Sequence, residues 1–340
     1  MRIGIVSSNS AEVSALRRML RSNPGYEISW AIGDTDEAIE KCSAQPPDVL
    51  LLGIGEQPAT SIDAVRRIMR ESPCPILLLA SSIQKQAAPI FEALCAGAVD
   101  VVTLMDAAGL EVADAGPALE AKLTMFRKLK PRRARPGAQP RANGSNGTQP
   151  VSLLLLGASA GGPSALATVL SGLPQDFAAP AVIVQHIDEQ FVAGMAEWLS
   201  QQCKLPVRIA RDQERMENGI VYIAGRSEHL TLRDRFTLAY QSEPSNHAYK
   251  PSIDEMFYSA ARFWKDDAVG VLLTGMGQDG TQGLRKLRDG GALTITQDKE
   301  SSVVFGIPKA AARINAATEI LPLSQISARI RKAIPSAGSR

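Results

Sequence analysis

The segment Leu153-Leu154-Leu155-Leu156-Gly157-Ala158-Ser159-Ala160-Gly161-Gly162-Pro163 decides how this chain folds. Four consecutive leucines read as a strand buried on both faces, the pattern of a parallel sheet. The run then breaks into a turn of small residues that holds a single hydroxyl. Pro163 suits the first turn of a following helix, where its missing N–H costs nothing and its φ is already helical. Ser159 is therefore expected at a strand-to-helix corner, presented past the carboxyl end of its strand. The helix after it places Leu166, Val169, Leu170 and Leu173 on one face.

The same grammar recurs outward from this point. An apolar run at 181–184 leads into Gln185-His186, and one at 269–273 leads into Thr274-Gly275-Met276-Gly277-Gln278-Asp279-Gly280; 293–296 adds a further strand. Between them, 220–223, 229–232 and 236–240, with Arg233-Asp234-Arg235 at a turn, predict an antiparallel insertion. In the first part of the chain, strands at 3–6, 26–32, 49–52, 76–79 and 99–102 alternate with helical stretches such as 61–70. The expected fold class is α/β. Two doubly wound parallel-sheet domains, at 1–125 and 151–335, are joined by a flexible basic linker at 126–150, and the C-terminal one carries a small antiparallel β insertion. In the linker Lys128, Lys130, Arg132, Arg133, Arg135 and Arg141 lie among Pro, Gly, Asn and Ser, and apolar periodicity ends.

Composition narrows the function classes. With 340 residues, 45% hydrophobic and 21% charged, the chain suits a soluble protein of two domains. A net charge of +2 gives no electrostatic case for nucleic acid or a membrane surface. No apolar run approaches the roughly 18 residues of a membrane span, and the N-terminus runs directly into a strand. The four cysteines form no C-x-x-C pair and no zinc-ligand spacing. Three of them lie in apolar or helical contexts and read as core thiols, which suits a reducing compartment. A cytoplasmic location is expected, with no metal, no organic cofactor, no nucleic-acid partner and no membrane insertion.

The three corners carry Ser159, His186 and Asp279. In an open parallel sheet the carboxyl ends of the strands share one edge, so the three side chains can meet there. A serine hydroxyl becomes a nucleophile when a neutral imidazole takes its proton. A carboxylate on the other ring nitrogen fixes the tautomer and stabilises the imidazolium. Backbone amides of Gly275-Met276-Gly277 suit a developing oxyanion, since little side-chain bulk flanks them. Taken alone, the Gly-x-Ser-x-Gly turn also fits a phosphate or dinucleotide site, and Asp279 also fits a plain turn residue. A nucleotide-binding regulator, however, lacks the full G-x-G-x-x-G pattern and leaves His186 and Asp279 unexplained. His229 and His247 read as surface or substrate-side residues. The order Ser…His…Asp differs from the Ser…Asp…His of α/β-hydrolases.

Six motifs in order resemble one family. They are 157–163, Val184-Gln185-His186, Val221-Tyr222-Ile223-Ala224, Pro251-Ser252-Ile253-Asp254, 273–280 and Val303-Val304-Phe305-Gly306-Ile307-Pro308-Lys309-Ala310. Over 151–325 the chain resembles the bacterial chemotaxis protein-glutamate methylesterases, the CheB family. The resemblance implies hydrolysis of glutamate methyl esters on methyl-accepting chemotaxis receptors with release of methanol, deamidation of receptor glutamines, and a place in a chemotaxis-type signalling array. It makes Ser159 the nucleophile, His186 the base and Asp279 the orienting acid, with Met276, Gly277 and Ala160 lining the oxyanion hole and substrate side. Ala160 stands where the family often has threonine, and Asp188 where it often has proline. The competing reading is a catalytically silent scaffold or docking protein of the same array, against which the intact trio speaks.

The N-terminal domain resembles the family's receiver, with its chemistry removed. The two acidic positions after the first strand are Ser7 and Ser8, the phosphoacceptor position is Gly53, and the lysine position after the fifth strand is Leu104; Ser81 alone keeps the expected hydroxyl. Aspartyl phosphorylation needs a carboxylate nucleophile and an oxygen-rich metal site, so no phosphoacceptor is expected, and Asp48 lies at the wrong end of its strand. In the family the unphosphorylated receiver covers the active site and phosphorylation relieves the block. Glu71-Ser72-Pro73-Cys74-Pro75-Ile76 further resembles the Wsp-type surface-sensing branch, in which receptor methylation controls a diguanylate cyclase.

Overall fold

Runs of apolar residues that are buried on both faces organise both halves of the molecule. The computed structural model describes residues 1–21, 23–55, 57–80, 83–104, 115–127, 152–245, 247, 249–264 and 267–335. Among them the first unit comprises β1 (Arg2–Val6), α1 (Ser10–Arg21), β2 (Glu27–Ile32), α2 (Thr35–Ala44), β3 (Val49–Gly53), α3 (Pro58–Glu71), β4 (Ile76–Ala80), α4 (Ile83–Ala96), β5 (Asp100–Thr103) and α5 (Ala115–Arg127). All its strand pairs are parallel, in the order β2-β1-β3-β4-β5, the flavodoxin-like doubly wound order. Leu50, Leu51 and Leu52 of its central strand are fully buried.

The second unit comprises β6 (Leu153–Ala158), α6 (Gly162–Ser171), β7 (Ala181–Gln185), α7 (Glu189–Gln202), β8 (Val207–Ile209), β9 (Val221–Ile223), β10 (His229–Leu232), β11 (Leu238–Gln241), α8 (Ile253–Phe263), β12 (Ala268–Leu272), α9 (Thr281–Asp289), β13 (Leu293–Gln297), α10 (Ile307–Arg313), β14 (Glu319–Leu321) and α11 (Leu323–Ala333). Its seven-stranded sheet is parallel, ordered β14-β13-β12-β6-β7-β9-β8.

The antiparallel insertion is smaller than its sequence predicts. Among the described residues β10 and β11 are the strands that pair antiparallel, with an isolated antiparallel bridge between Arg215 and Thr237, whereas β9, expected in the insertion, joins the main sheet between β7 and β8. Val221, Tyr222 and Ile223 are fully buried, and that burial on both faces suits a parallel sheet. The first unit also reaches further than expected: α5 runs to Arg127 and buries Phe126, two residues assigned to the linker. The remainder of the linker and Ser81 lie outside the described residues. Cys42 and Cys74 are core thiols, whereas Cys95 is exposed and Cys203 half-buried. Among the described residues no helix is long and apolar enough to cross a membrane.

The two units touch. Phe91 of α4 stacks on Trp198 of α7 with ring centroids 5.3 Å apart, and Gly194 of α7 leaves room for Ala87, which a Cβ there would approach to 2.5 Å. The Gly161 amide, two residues after Ser159, donates to the Val99 carbonyl, 3.1 Å away, just before β5. Ala160 and Val304 belong to the same apolar cluster as Val102 and Leu104, and Met276 packs against it.

Candidate active site

Ser159, His186 and Asp279 follow β6, β7 and β12, which are neighbours in the order β12-β6-β7. Strand order reverses between β12 and β6, the crevice where open α/β sheets bind ligands. Register does the positioning. Ala158 pairs with Gln185 across β6 and β7, so Ser159 and His186 leave the sheet side by side. The His186 amide donates to the Ala158 carbonyl at 3.0 Å and the Ser159 amide to the Thr274 carbonyl at 3.1 Å, which carries the ladder one step into the turns. From below, Gln185 Nε2 donates to the carbonyls of Ser159 and His186, at 2.9 and 3.0 Å.

Asp279 sits at the N-terminus of α8 and is heavily solvated by protein. Its Oδ2 accepts from His186 Nε2 at 2.7 Å and from the Ile253 amide at 2.7 Å. Its Oδ1 accepts from Ser252 Oγ at 2.8 Å and the Asp254 amide at 3.1 Å. A helix N-terminus favours an anion. Burial alone pushes this carboxyl up, but the hydrogen bond and charge of His186, with the Ile253 and Ser252 donors, bring it down to about 2. An ionised Asp279 on Nε2 places the ring proton there and leaves Nδ1 as the acceptor. That nitrogen is buried and has no partner among the described residues. The usual triad, with its carboxylate on Nδ1, is reversed.

Ser159 is 5% exposed. Gly161 caps α6 with φ +74°, the left-handed conformation that favours glycine. Gly275 must also lack a side chain, because a Cβ there would lie 2.7 Å from the Ser159 Cβ. Its own amide is used, donating to the Val304 carbonyl at 3.0 Å, and its carbonyl accepts from Gly306 and Ile307. The amides of Ala160, Met276 and Gly277 donate to no acceptor among the described residues. Thr274 Oγ1 braces the corner, donating to the Ala160 carbonyl at 3.0 Å and accepting from the Val304 amide at 2.9 Å. Asp188, at the position where proline is usual, caps α7 by accepting from the Gln190 amide.

His229 is not a surface residue, contrary to expectation. It is fully buried; its Nδ1 accepts from the Ser252 amide at 3.1 Å and its Nε2 meets the Pro244 carbonyl at 3.0 Å. It thus fixes the residue that presents Ser252 Oγ to Asp279. His247 is half-buried and paired with Glu255 at 3.0 Å. Sequence reasoning assigned no role to Ser252, Asp254 or Tyr249. A signal existed for the first: Ser252-Ile253-Asp254-Glu255 is a capping-box pattern, [ST]-x-x-[DE], which announces a helix N-terminus. Burial raises Asp254 to about 6, with the charge of Asp279 adding to it, while its Oδ1 accepts from the Gly283 amide at 2.7 Å.

The corresponding edge of the first sheet is built differently. Ser7 Oγ donates to Glu12 Oε2 at 2.6 Å. A Cβ on Gly53 would lie 3.0 Å from that same oxygen and 3.4 Å from Ser7 Oγ. The Glu12 carboxyl, reaching in from α1, therefore occupies the space an acceptor side chain at position 53 would need. Burial raises its pKa, and the Ser7 hydrogen bond only partly opposes this. Leu104 is fully buried. Asp48, at the opposite end of β3, accepts from the Arg2 amide at 2.6 Å.

A receiver-type sheet followed by a parallel sheet with serine, histidine and aspartate at its switch point defines the class of receiver-linked ester hydrolases. The chain belongs to the CheB methylesterase family: residues 154–330 match that family. It is 46% identical over 339 residues to a protein-glutamate methylesterase/protein-glutamine glutaminase of Pseudomonas fluorescens, covering 97% of this chain and 98% of that one. A relative of the same description from Cupriavidus pinatubonensis is 44% identical, covering 98% and 97%. The crystal structure of the Thermotoga maritima CheB methylesterase catalytic domain is 33% identical, with a TM-score of 0.53, covering 55% of this chain and all of that one.

Proposed function

We propose that this chain hydrolyses glutamyl methyl esters on methyl-accepting chemotaxis receptors through Ser159, His186 and Asp279, and does so independently of aspartyl phosphorylation. The observation that carries the chemistry is the reversed imidazole: Nε2 bound to an ionised Asp279, and Nδ1 buried and without a hydrogen-bond partner among the described residues. His186 Nδ1 takes the hydroxyl proton as Ser159 Oγ attacks the ester carbonyl. The oxyanion is met by the unused amides of Met276 and Gly277, with Ala160 on the facing turn. The imidazolium then protonates the departing methoxide, and methanol leaves. Water, activated by the same nitrogen, hydrolyses the acyl-enzyme to the glutamate carboxylate. A receptor glutamine follows the same course with ammonia as the leaving group.

Independence from phosphorylation rests on the first sheet, where Gly53 offers no nucleophile and Glu12 fills its pocket. The contact between the units, with Val99 holding the Gly161 amide, supports an N-terminal domain that acts by docking, within a chemotaxis-type signalling array. The test is methanol release from a methylated receptor together with labelling by a serine-directed phosphonate. Wild type should release methanol and carry one label on Ser159, and Ser159→Ala should do neither. Acetyl phosphate should change neither readout and add no hydroxylamine-labile phosphate. Near-normal methanol release from Ser159→Ala would remove the assignment.

A further inference from the structure

Tyr249 lies flat on the imidazole of His186, with ring centroids 4.2 Å apart and planes 10° from parallel. Its hydroxyl comes within 3.8 Å of the Cβ position of Gly277, so one half-buried side chain spans from the base to the oxyanion turn. The chain enters this stack just before Pro251 and the capping box that feeds Asp279. No hydrogen bond fixes the phenol among the described residues; the ring contact is its specific tie to the site.

An aromatic face is electronegative and attracts a cation far more than a neutral ring. To take the serine proton the imidazole must be neutral, and it is cationic while it holds that proton. A contact that strengthens at that moment lowers the barrier, whereas one equal in both states does not. The face also blocks the rotation that would carry Nδ1 away from Ser159. The charged groups about the imidazole are Asp279 at Nε2, Asp254 behind it on the first turn of α8, and the His247–Glu255 pair beyond.

We infer that Tyr249 is a positioning residue of the esterase reaction, its ring face holding the His186 imidazole in place and favouring its protonated form as Ser159 attacks. This rests on the triad reading above. The agent is the ring and not the hydroxyl, which separates the idea from a phenol that serves the oxyanion directly.

The experiment compares the full-length wild type with Tyr249→Phe and Tyr249→Leu. It reads methanol release from a methylated receptor, and the rate of phosphonate labelling at Ser159 from pH 5 to 9. Tyr249→Phe should keep at least about half of the wild-type kcat. Tyr249→Leu should lose roughly tenfold in kcat with little change in KM. Its acid limb of labelling should move to lower pH by about half a unit or more, because the cation has lost its aromatic face. Thermal unfolding of each variant within a few degrees of wild type shows that the fold is kept, and Tyr249→Met, which also lacks the aromatic face, replaces Leu in both readouts if Leu unfolds. Equal kcat and an unmoved limb in Tyr249→Leu would overturn the inference while leaving the triad intact. A Phe variant as slow as Leu would overturn it in favour of the hydroxyl. A wild type that takes no label at Ser159 would remove the triad reading, and this inference with it.

Discussion

Asp279 and Glu12 are both largely buried carboxyls at the carboxyl edge of a parallel sheet, and they are held in opposite ways. Asp279 receives four oriented donors at a helix N-terminus and is held at about 2. Glu12 receives one hydroxyl, and burial raises it above the ordinary carboxylate range. Donors and the neighbouring charge of His186, not depth, separate the two. One edge carries the proposed triad, and at the other Glu12 fills the space beside Gly53.

The largest effects should come from the edge that carries Ser159, His186 and Asp279. Ser159→Ala should lower kcat for methanol release by about 10⁴-fold or more, and Asp279→Asn by roughly 10³–10⁴-fold. The double variant should be no slower than Ser159→Ala, since residues acting as a unit are not additive. Multiplicative losses in stopped-assay kinetics would break the comparison at its stronger end.

Gly53→Asp tests the other edge. The new carboxylate would meet Glu12 Oε2 within about 3 Å, as the Cβ alone stands 3.0 Å away. Two carboxyls that close cannot both ionise. The substitution should cost roughly 2 kcal/mol and still accept no phosphate from acetyl phosphate. Adding Glu12→Gln should recover at least about 1 kcal/mol in a double-mutant cycle read by urea unfolding. Phosphorylation of Gly53→Asp would show that the pocket needed only its acceptor.

Two aspartates on the edge of one helix should bend the pH profile of stability in opposite senses. Asp279, held at about 2 in the fold against 3.8 ordinarily, contributes on the order of 2 kcal/mol above pH 4. That contribution is lost as pH falls through 2. Asp254, raised to about 6, binds its proton more tightly in the fold, so stability falls as pH rises from 4 to 6 by on the order of 2–3 kcal/mol. Asp254→Asn, whose amide oxygen can still accept from Gly283, should therefore gain at pH 8 relative to pH 4, as urea midpoints at the two pH values would show. The smallest effect belongs to Glu12→Gln: within about 1 kcal/mol at pH 5, and relatively more stable at pH 8, where the buried carboxyl of wild type is driven to ionise. A large loss at pH 8 would mean that Glu12 is charged in the fold and more than a filler.

The corners were legible because each is local: an apolar run, a small-residue turn, a polar side chain at the exit. Ser159, His186 and Asp279 were named from that pattern, and strand order then made β6, β7 and β12 neighbours. What escaped is not local. His229 lies in a strand pattern that says nothing of its two ring partners, fifteen and twenty-three residues away at Pro244 and Ser252. Tyr249 stacks across the fold from another segment. The place of β9 in the main sheet turns on parallel pairing with β7 and β8, which a three-residue apolar stretch does not announce. Glu12 was missed because a gap at Gly53 shows in the sequence, whereas its refilling from α1 needs three dimensions.

The reversed imidazole has a mechanical side. Nδ1 is bonded directly to Cγ, while Nε2 lies at the far rim of the ring. If His186 works from Nδ1 as proposed, it turns on a short lever, so a given swing of the side chain moves that nitrogen through a small arc. Error in the rotamer is damped, but error in the backbone passes to the reacting nitrogen almost unreduced. Tuning of this site therefore belongs to the pairing of Ala158 with Gln185 and to the Gln185 amide that clamps both neighbouring carbonyls. Strand alignment, more than side-chain conformation, is where its accuracy is kept.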